Sequence, residues 1–444
     1  MRPKLILTGL LLLILVALIL TVRAPLATAK PNAVCTWPNN TTGNWTDAGK
    51  WSCSVVPGPA DDVNVGFGGV INLNAPATIQ NLTMVGGTIS GTNALTVTGL
   101  TQFTGSSANL NTHGSRLPRL FSSPATGAIV TLADPALTAD SFNAVTISNA
   151  SGSNAATIFD VGPRSMDVLT LQNGNLNVTS DLTVTQVVSW TGGSLSAYGN
   201  NNSAKFTLAS TAVMTISPGG VYFYLPLVNE GTITWLGPYS LTAGPKGALT
   251  NHGTLNINTT PASQVTLGTS NVPFTNTGLL RVNALNSVQI DYDFFNYGQV
   301  EINSGAVNVR WNNYIQRAGH TRLAGGSLAG VPKCCNLDNY PIYLYGGALS
   351  GSGIITGGIE NRGGTVMLTG LLTVTNYYVQ SVTGTLQVTM TSASNFGVMR
   401  VVQRNGVTSP GNITIDGTLI VNKANGFTPA SGDRFQIMTG VTAN

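Results

Sequence analysis

One phrase recurs four times between Val228 and Asn303 and limits what this chain can fold into more than any other feature. Asn229-Glu230-Gly231, Asn251-His252-Gly253, Asn276-Thr277-Gly278 and Asn296-Tyr297-Gly298 each precede a short run whose second and fourth residues after the glycine are apolar. Those pairs are Ile233 and Trp235, Leu255 and Ile257, Leu280 and Val282, and Val300 and Ile302. Such alternation marks a strand with one buried face. The glycines stand 22, 25 and 20 residues apart, an interval at which repeat proteins stack one unit on the next. An antiparallel sandwich also has short alternating strands, but nothing in it calls for the same turn before the same apolar pair. Stacked coils would set the asparagines above one another, where side-chain amides can bond in a ladder, and would use each glycine for a positive-φ corner. The expected fold is all-β, an elongated right-handed parallel β-helix, or β-solenoid.

The turn returns at Asn361-Arg362-Gly363, where Gly363 lies 65 residues after Gly298, close to three more coils. Its apolar pair, Val366 and Leu368, falls one place late, as though Gly364 were inserted. Residues 110–140 read as a coil with an outward loop, and the tyrosine-rich piece 334–345 as a bulge from one coil. No Pro- or Ser-rich linker divides the chain, so 66–444 reads as one run of β-solenoid repeats. Before it, 30–65 reads as an N-terminal aromatic cap in which Trp37, Trp45 and Trp51 close the end of the stack.

The first residues set the expected compartment. Arg2 and Lys4 precede an uncharged, mostly apolar run from Leu5 to Val22, and Ala27-Thr28-Ala29 follows. That pattern predicts a secretory signal peptide over 1–29, with an uncleaved anchor as the alternative. No second run of that length exists, so no membrane span is expected after cleavage, and the chain is expected outside the cell or on its surface. Three of the four net positive charges lie in this leader, which leaves about +1 beyond it and no basic face for nucleic acid. Only 8% of residues are charged, yet the apolar fraction of 42% argues for a folded chain over a disordered one. An even set of four cysteines in an exported chain favours disulfides, with Cys35 and Cys53 the natural pair; closing that loop is worth about 3 kcal/mol. For the adjacent Cys334 and Cys335, a vicinal disulfide, free thiols and a bond to a partner chain all stay open.

Three stretches carry a resemblance. Gly43-Asn44-Trp45-Thr46-Asp47-Ala48-Gly49-Lys50-Trp51, with Val56-Pro57-Gly58 and Asp61-Asp62-Val63, resembles the opening of large exported bacterial β-solenoid proteins with autotransporter-passenger-like, adhesin-like repeats. Gly346-Gly347-Ala348-Leu349-Ser350-Gly351-Ser352-Gly353, followed by Asn361-Arg362-Gly363-Gly364, is similar to their glycine-rich repeat, and Gly432-Asp433-Arg434-Phe435-Gln436-Ile437-Met438 to their C-terminal coils. The resemblance implies architecture and is nearly silent on activity. The residues given depart from the autotransporter pattern, and no C-terminal membrane barrel is expected from them.

Motifs for chemistry are sparse. No Gly-x-Ser-x-Gly elbow, His-Glu-x-x-His helix, phosphate loop or Cys-x-x-Cys pair occurs, so no catalytic residue, cofactor or metal site is assigned. Adjacent Asp61 and Asp62 would point to opposite faces of a strand and chelate poorly. The best polar patch is Asp291, Asp293, Glu301 and Arg310. With Val288, Ile290, Tyr292 and Phe294 facing in, the two aspartates face out about 7 Å apart along one strand, a separation that overlaps that of inverting glycosidases. The plainer reading is an exposed ion-pair ladder between coils. The function expected is therefore that of an exported structural or adhesive β-solenoid without catalytic activity, with extracellular polysaccharide or other surface components as partners. The alternatives are a polysaccharide lyase or glycoside hydrolase on a parallel β-helix, and a carbohydrate-binding module using Trp37, Trp45 and Trp51.

Overall fold

The computed structural model describes residues 32–441 except 106, 123–128, 133–142, 149–155, 160–163, 199–202, 218, 260–264, 269–271, 311–312, 332–340, 404–411 and 425. Its strands are parallel to their neighbours and stack coil upon coil in a β-solenoid. Among the described residues the only helical piece is the 3-10 turn Ala48–Lys50.

Three stacks of strands form the walls. The first begins with Val34–Trp37, Asp62–Val65 and Asn81–Met84, and runs through Thr232–Trp235 and Thr254–Ile257 to Thr418–Lys423. The second begins with Thr42–Asn44 and Val70–Asn72 and ends with Val398–Val402 and Met438–Val441. The third is the wall that carries the repeated asparagines: Leu227–Asn229, Leu249–Asn251, Pro273–Asn276, Asp293–Asn296, Tyr314–Gln316, Ile342–Leu344, Ile359–Asn361 and Tyr377–Gln380 lie in order one above the next. Long strands such as Leu279–Ile290 and Gln299–Arg310 serve two walls, bending between the first and second at a break in register near Asn283. Parallel pairing of this kind excludes the sandwich, and the alternation explains the core. All eight residues of the four apolar pairs are buried, as one face of each strand must be when coils close on themselves.

The asparagine ladder is present, inside the wall. The Nδ2 of Asn229 donates to Asn251 Oδ1 at 2.6 Å, Asn251 to Asn276 at 2.7 Å, and Asn276 to Asn296 at 2.8 Å. The second amide hydrogen of each goes to a backbone carbonyl: Thr254 O, Leu279 O and Gln299 O at 3.0, 3.1 and 3.0 Å. Gln316 extends the column, its Oε1 accepting from Asn296 at 3.4 Å and from the Thr321 hydroxyl at 2.5 Å, while Tyr314 lies against Thr321.

The glycines act differently from the expectation. Gly231, Gly253, Gly278 and Gly298 do not have positive φ. They are required because coils approach too closely for a side chain: a Cβ on Gly278 would sit 2.1 Å from the carbonyl oxygen of Gly253, the glycine one coil before it. That oxygen accepts the Leu279 amide at 2.8 Å, so the crowding is part of the coil-to-coil bonding. At Gln316 and Leu344 the turn is one residue longer, and there Gly319 and Gly347 do take positive φ, 69° and 68°. At the Asn361 turn, Gly364 holds the column position, since Thr365 N bonds Gly347 O and Thr385 N bonds Gly364 O. The added residue is Gly363.

Two other expectations fall partly outside the described residues. The stretch 110–140 contributes stacked strands, Arg119–Ser122 and Ile129–Leu132, as a coil does, and 123–128 and 133–140, where an outward loop is expected, lie outside the described residues. Of the expected bulge 334–345, Ile342–Leu344 is a regular rung of the third wall. Cys334 and Cys335 lie outside the described residues, as does 1–31 with the expected leader. The Cys35–Cys53 disulfide is formed.

Candidate functional site

The predicted polar patch separates. Val288, Ile290, Tyr292 and Phe294 do face in. The strand ends at Ile290, however, and a new one begins at Asp293, so Asp291 sits at the corner between two walls instead of mid-strand. Asp291 is 3% exposed, and its two oxygens accept from Arg310 Nε at 3.0 Å and Nη2 at 2.6 Å, one coil away. Glu301 pairs with Arg281 at 2.8 Å on the first wall, and Asp293 lies on the third. The acids therefore stand on different walls, two of them engaged in pairs that tie successive coils, and the expected face of two outward carboxylates is not formed.

The tryptophans are enclosed. Trp37, Trp45 and Trp51 are at most 2% exposed, with Trp51 edge-on to Trp37 at 4.8 Å and to Trp45 at 5.0 Å. Indole Nε1 of Trp37 donates to Thr41 O, and that of Trp51 to Trp45 O. Their faces are spent on one another and on the first coil, which leaves none open for a sugar. Asp61 is likewise committed: its carboxylate accepts the amides of Gly58 at 2.8 Å and Ala33 at 3.1 Å.

A built outer surface lies elsewhere, at the middle position of the repeated turn. Coil stacking sets Tyr297, Arg317, Tyr345 and Arg362 in one exposed column. Beside it runs a second column from the adjoining strands, Phe295, Ile315, Tyr343 and Glu360, which are register partners in that order. The columns interlock. The Arg317 guanidinium lies 5.9 Å from the Phe295 ring and 5.6 Å from the Tyr345 ring. That of Arg362 lies 4.7 Å from Tyr343 and 5.4 Å from Tyr345, and the two tyrosine rings stack at 6.3 Å. Arg362 also donates to Glu360 Oε2 and, at 2.6 Å, to the Tyr345 hydroxyl. Tyr377 donates to the other Glu360 oxygen at 3.2 Å, and burial, with the Glu360 charge beside it, holds that phenol far above its usual range. Rungs about 4.8 Å apart make the four-rung ridge about 14 Å long. Aromatic faces flanking fixed guanidinium donors can hold a chain whose units have an apolar face and polar edges.

The sequence held a signal for this ridge. Gln316-Arg317-Ala318-Gly319 and Leu344-Tyr345-Gly346-Gly347 are copies of the repeated turn disguised by one extra residue and by a change at the asparagine position. Without them the aromatic and arginine positions are scattered residues.

The three histidines lie outside the ridge itself, His252 in the same turn column two rungs before Tyr297. His113 and His252 are exposed, and His252 Nδ1 is 2.6 Å from the Thr277 hydroxyl on the next rung. His320 on the first wall is half-buried, with Nε2 2.7 Å from Ser350 Oγ. Burial, helped by the Arg322 charge and opposed by Glu301, lowers its pKa and favours the neutral ring. Ser350 borders a shallow depression of about 520 Å³ with Arg322, Ser352 and Thr369.

Among the described residues, no group of three or more His, Cys, Asp or Glu side chains is placed to hold a metal, and no helix is long and apolar enough to cross a membrane. Fold and surface together define a β-solenoid. Compared with models of known families, with curated proteins and with solved structures, the chain finds no match.

Proposed function

We propose that this protein is an exported structural or adhesive β-solenoid that works by its extended outer surface, binding extracellular polysaccharide or another surface component without turning it over. The observation that carries this reading is the ridge of Phe295, Tyr297, Arg317, Tyr343, Tyr345 and Arg362, in which aromatic and cationic groups are held in register by the coil repeat. A Cys35–Cys53 disulfide supports export, because such bonds persist in oxidising compartments. The test is a panel of soluble polysaccharides offered to the purified protein. Saturable binding that weakens in Tyr345→Ala, with no new reducing ends or unsaturated products, is expected. Turnover abolished by Asp291→Ala or Arg310→Ala overturns it.

A second reading, an ester hydrolase, is favoured by one observation, the 2.7 Å contact between His320 Nε2 and Ser350 Oγ beside the depression. A neutral imidazole could take the hydroxyl proton. Covalent labelling by a fluorophosphonate probe that disappears in both Ser350→Ala and His320→Ala would establish it, and absence of labelling would dismiss it.

A further inference from the structure

We infer that the ligand of the ridge is an acidic polysaccharide, and that Arg317 receives a sugar carboxylate. This rests on the surface function proposed above and narrows it to one chemical class.

The two ridge arginines differ in what their guanidinium groups already bond. Arg362 is taken: Nε and Nη2 both donate to Glu360 and Nη1 to Tyr345 Oη, so its charge is locally neutralised. Arg317 has rings on two sides and no carboxylate or hydrogen-bond acceptor for its side chain among the described residues. Arg281 on the first wall is bound to Glu301 and Arg310 on the second to Asp291, and what sets Arg317 apart from other exposed arginines such as Arg400 is the pair of rings that holds it. Arg317 is thus a planar cation held between Phe295 and Tyr345, exposed, with its donor edge open. Packing between rings removes part of the entropy that an exposed arginine loses on binding. The group such a fork fits best is a planar carboxylate accepting two parallel N–H bonds.

The neighbours select a sugar acid over a free carboxylate or an acidic peptide. Tyr297 and Tyr345 are more than two-fifths exposed and lie on rungs either side of Arg317, so units before and after the anchored one meet a ring at the coil repeat. A polymer lying along the solenoid axis would place apolar sugar faces on those rings and a carboxylate at Arg317.

The experiment compares binding of the whole protein to polygalacturonate, to the same polymer after carboxyl reduction, and to a sulfated glucan of similar length. Variants are Arg317→Ala, Arg317→Lys and Arg400→Ala, the last removing an equal charge from the exposed face of the second wall. Native polyuronate is expected to bind at least tenfold more tightly than the reduced polymer. Arg317→Ala should lose about tenfold or more, as removal of a charge-assisted pair does; Arg317→Lys should recover part of that, and Arg400→Ala none of the loss should appear. Equal binding of native and reduced polymer, equal binding of the sulfated glucan, or an equal loss in Arg400→Ala overturns the carboxylate assignment and leaves the surface reading standing. Binding to none of the three polymers overturns both.

Discussion

Asn276 shows how much one side chain can hold in a stacked fold. Its amide accepts from Asn251 and donates to Asn296 and to Gln299 O, all inside the wall. Truncation to alanine strands a donor above and an acceptor below, each costing about 1–3 kcal/mol when buried. Asn276→Ala is therefore expected to lower stability by about 2–4 kcal/mol in denaturant unfolding, and a loss below 1 kcal/mol would show that the ladder contributes little. The ladder has a direction, with every Nδ2 donating toward the C-terminal coil, and its first acceptor, Asn229 Oδ1, is buried with no donor because Leu208 occupies the preceding rung. Asp291 is the charged counterpart. Replacing Arg310 by methionine leaves a carboxylate buried at the corner with its bidentate partner gone, at a cost of about 3 kcal/mol. Adding Asp291→Asn to that variant should restore most of the loss, and a double variant no more stable than the single one would argue against a specific pair.

At the scale of the turn and strand, the repeat is defined by closeness. Gly278→Ala is expected to destabilise the fold by about 2–3 kcal/mol, because the new methyl group meets the Gly253 carbonyl and neither backbone can retreat without breaking the hydrogen bond that the Leu279 N–H donates to that oxygen. A thermal midpoint unchanged by this substitution would refute the close-approach account. Asparagine and glycine were recognisable as a motif, but the reason for the glycine was not: a positive φ and a crowded backbone leave the same letter in the sequence. The strand faces were legible for a simpler reason. Inward residues such as Leu255 and Ile257 alternate with polar ones, and a closed coil admits no other arrangement. Asp291 escaped that logic because the alternation was carried across a corner, where the strand had already ended.

For the molecule as a whole, near-neighbour stacking makes stability local, each coil resting on the next. Loss of the Cys35–Cys53 bond, in the Cys35→Ser, Cys53→Ser double variant, should loosen the first coil and its buried tryptophans by about 3 kcal/mol and leave the central coils alone. Limited proteolysis followed by mass analysis should then show early cuts confined to residues 32–65; cuts spread evenly along the chain would contradict the local picture. By itself the sequence determined the parallel stacked architecture, the buried face of the repeat strands and the asparagine ladder, since each depends on alternation or on the recurrence of one phrase, and it pointed to the Cys35–Cys53 pairing through the even number of cysteines. Only the tertiary structure decided which exposed side chains are neighbours. Successive rungs are separated by as many as 39 residues, Met399 to Met438, and as few as 17, Ala348 to Thr365. With a period that uneven, residues a variable distance apart in the chain become adjacent across a gap of about 4.8 Å, and Arg317, Tyr345 and Arg362 acquire a common surface that no fixed spacing announces.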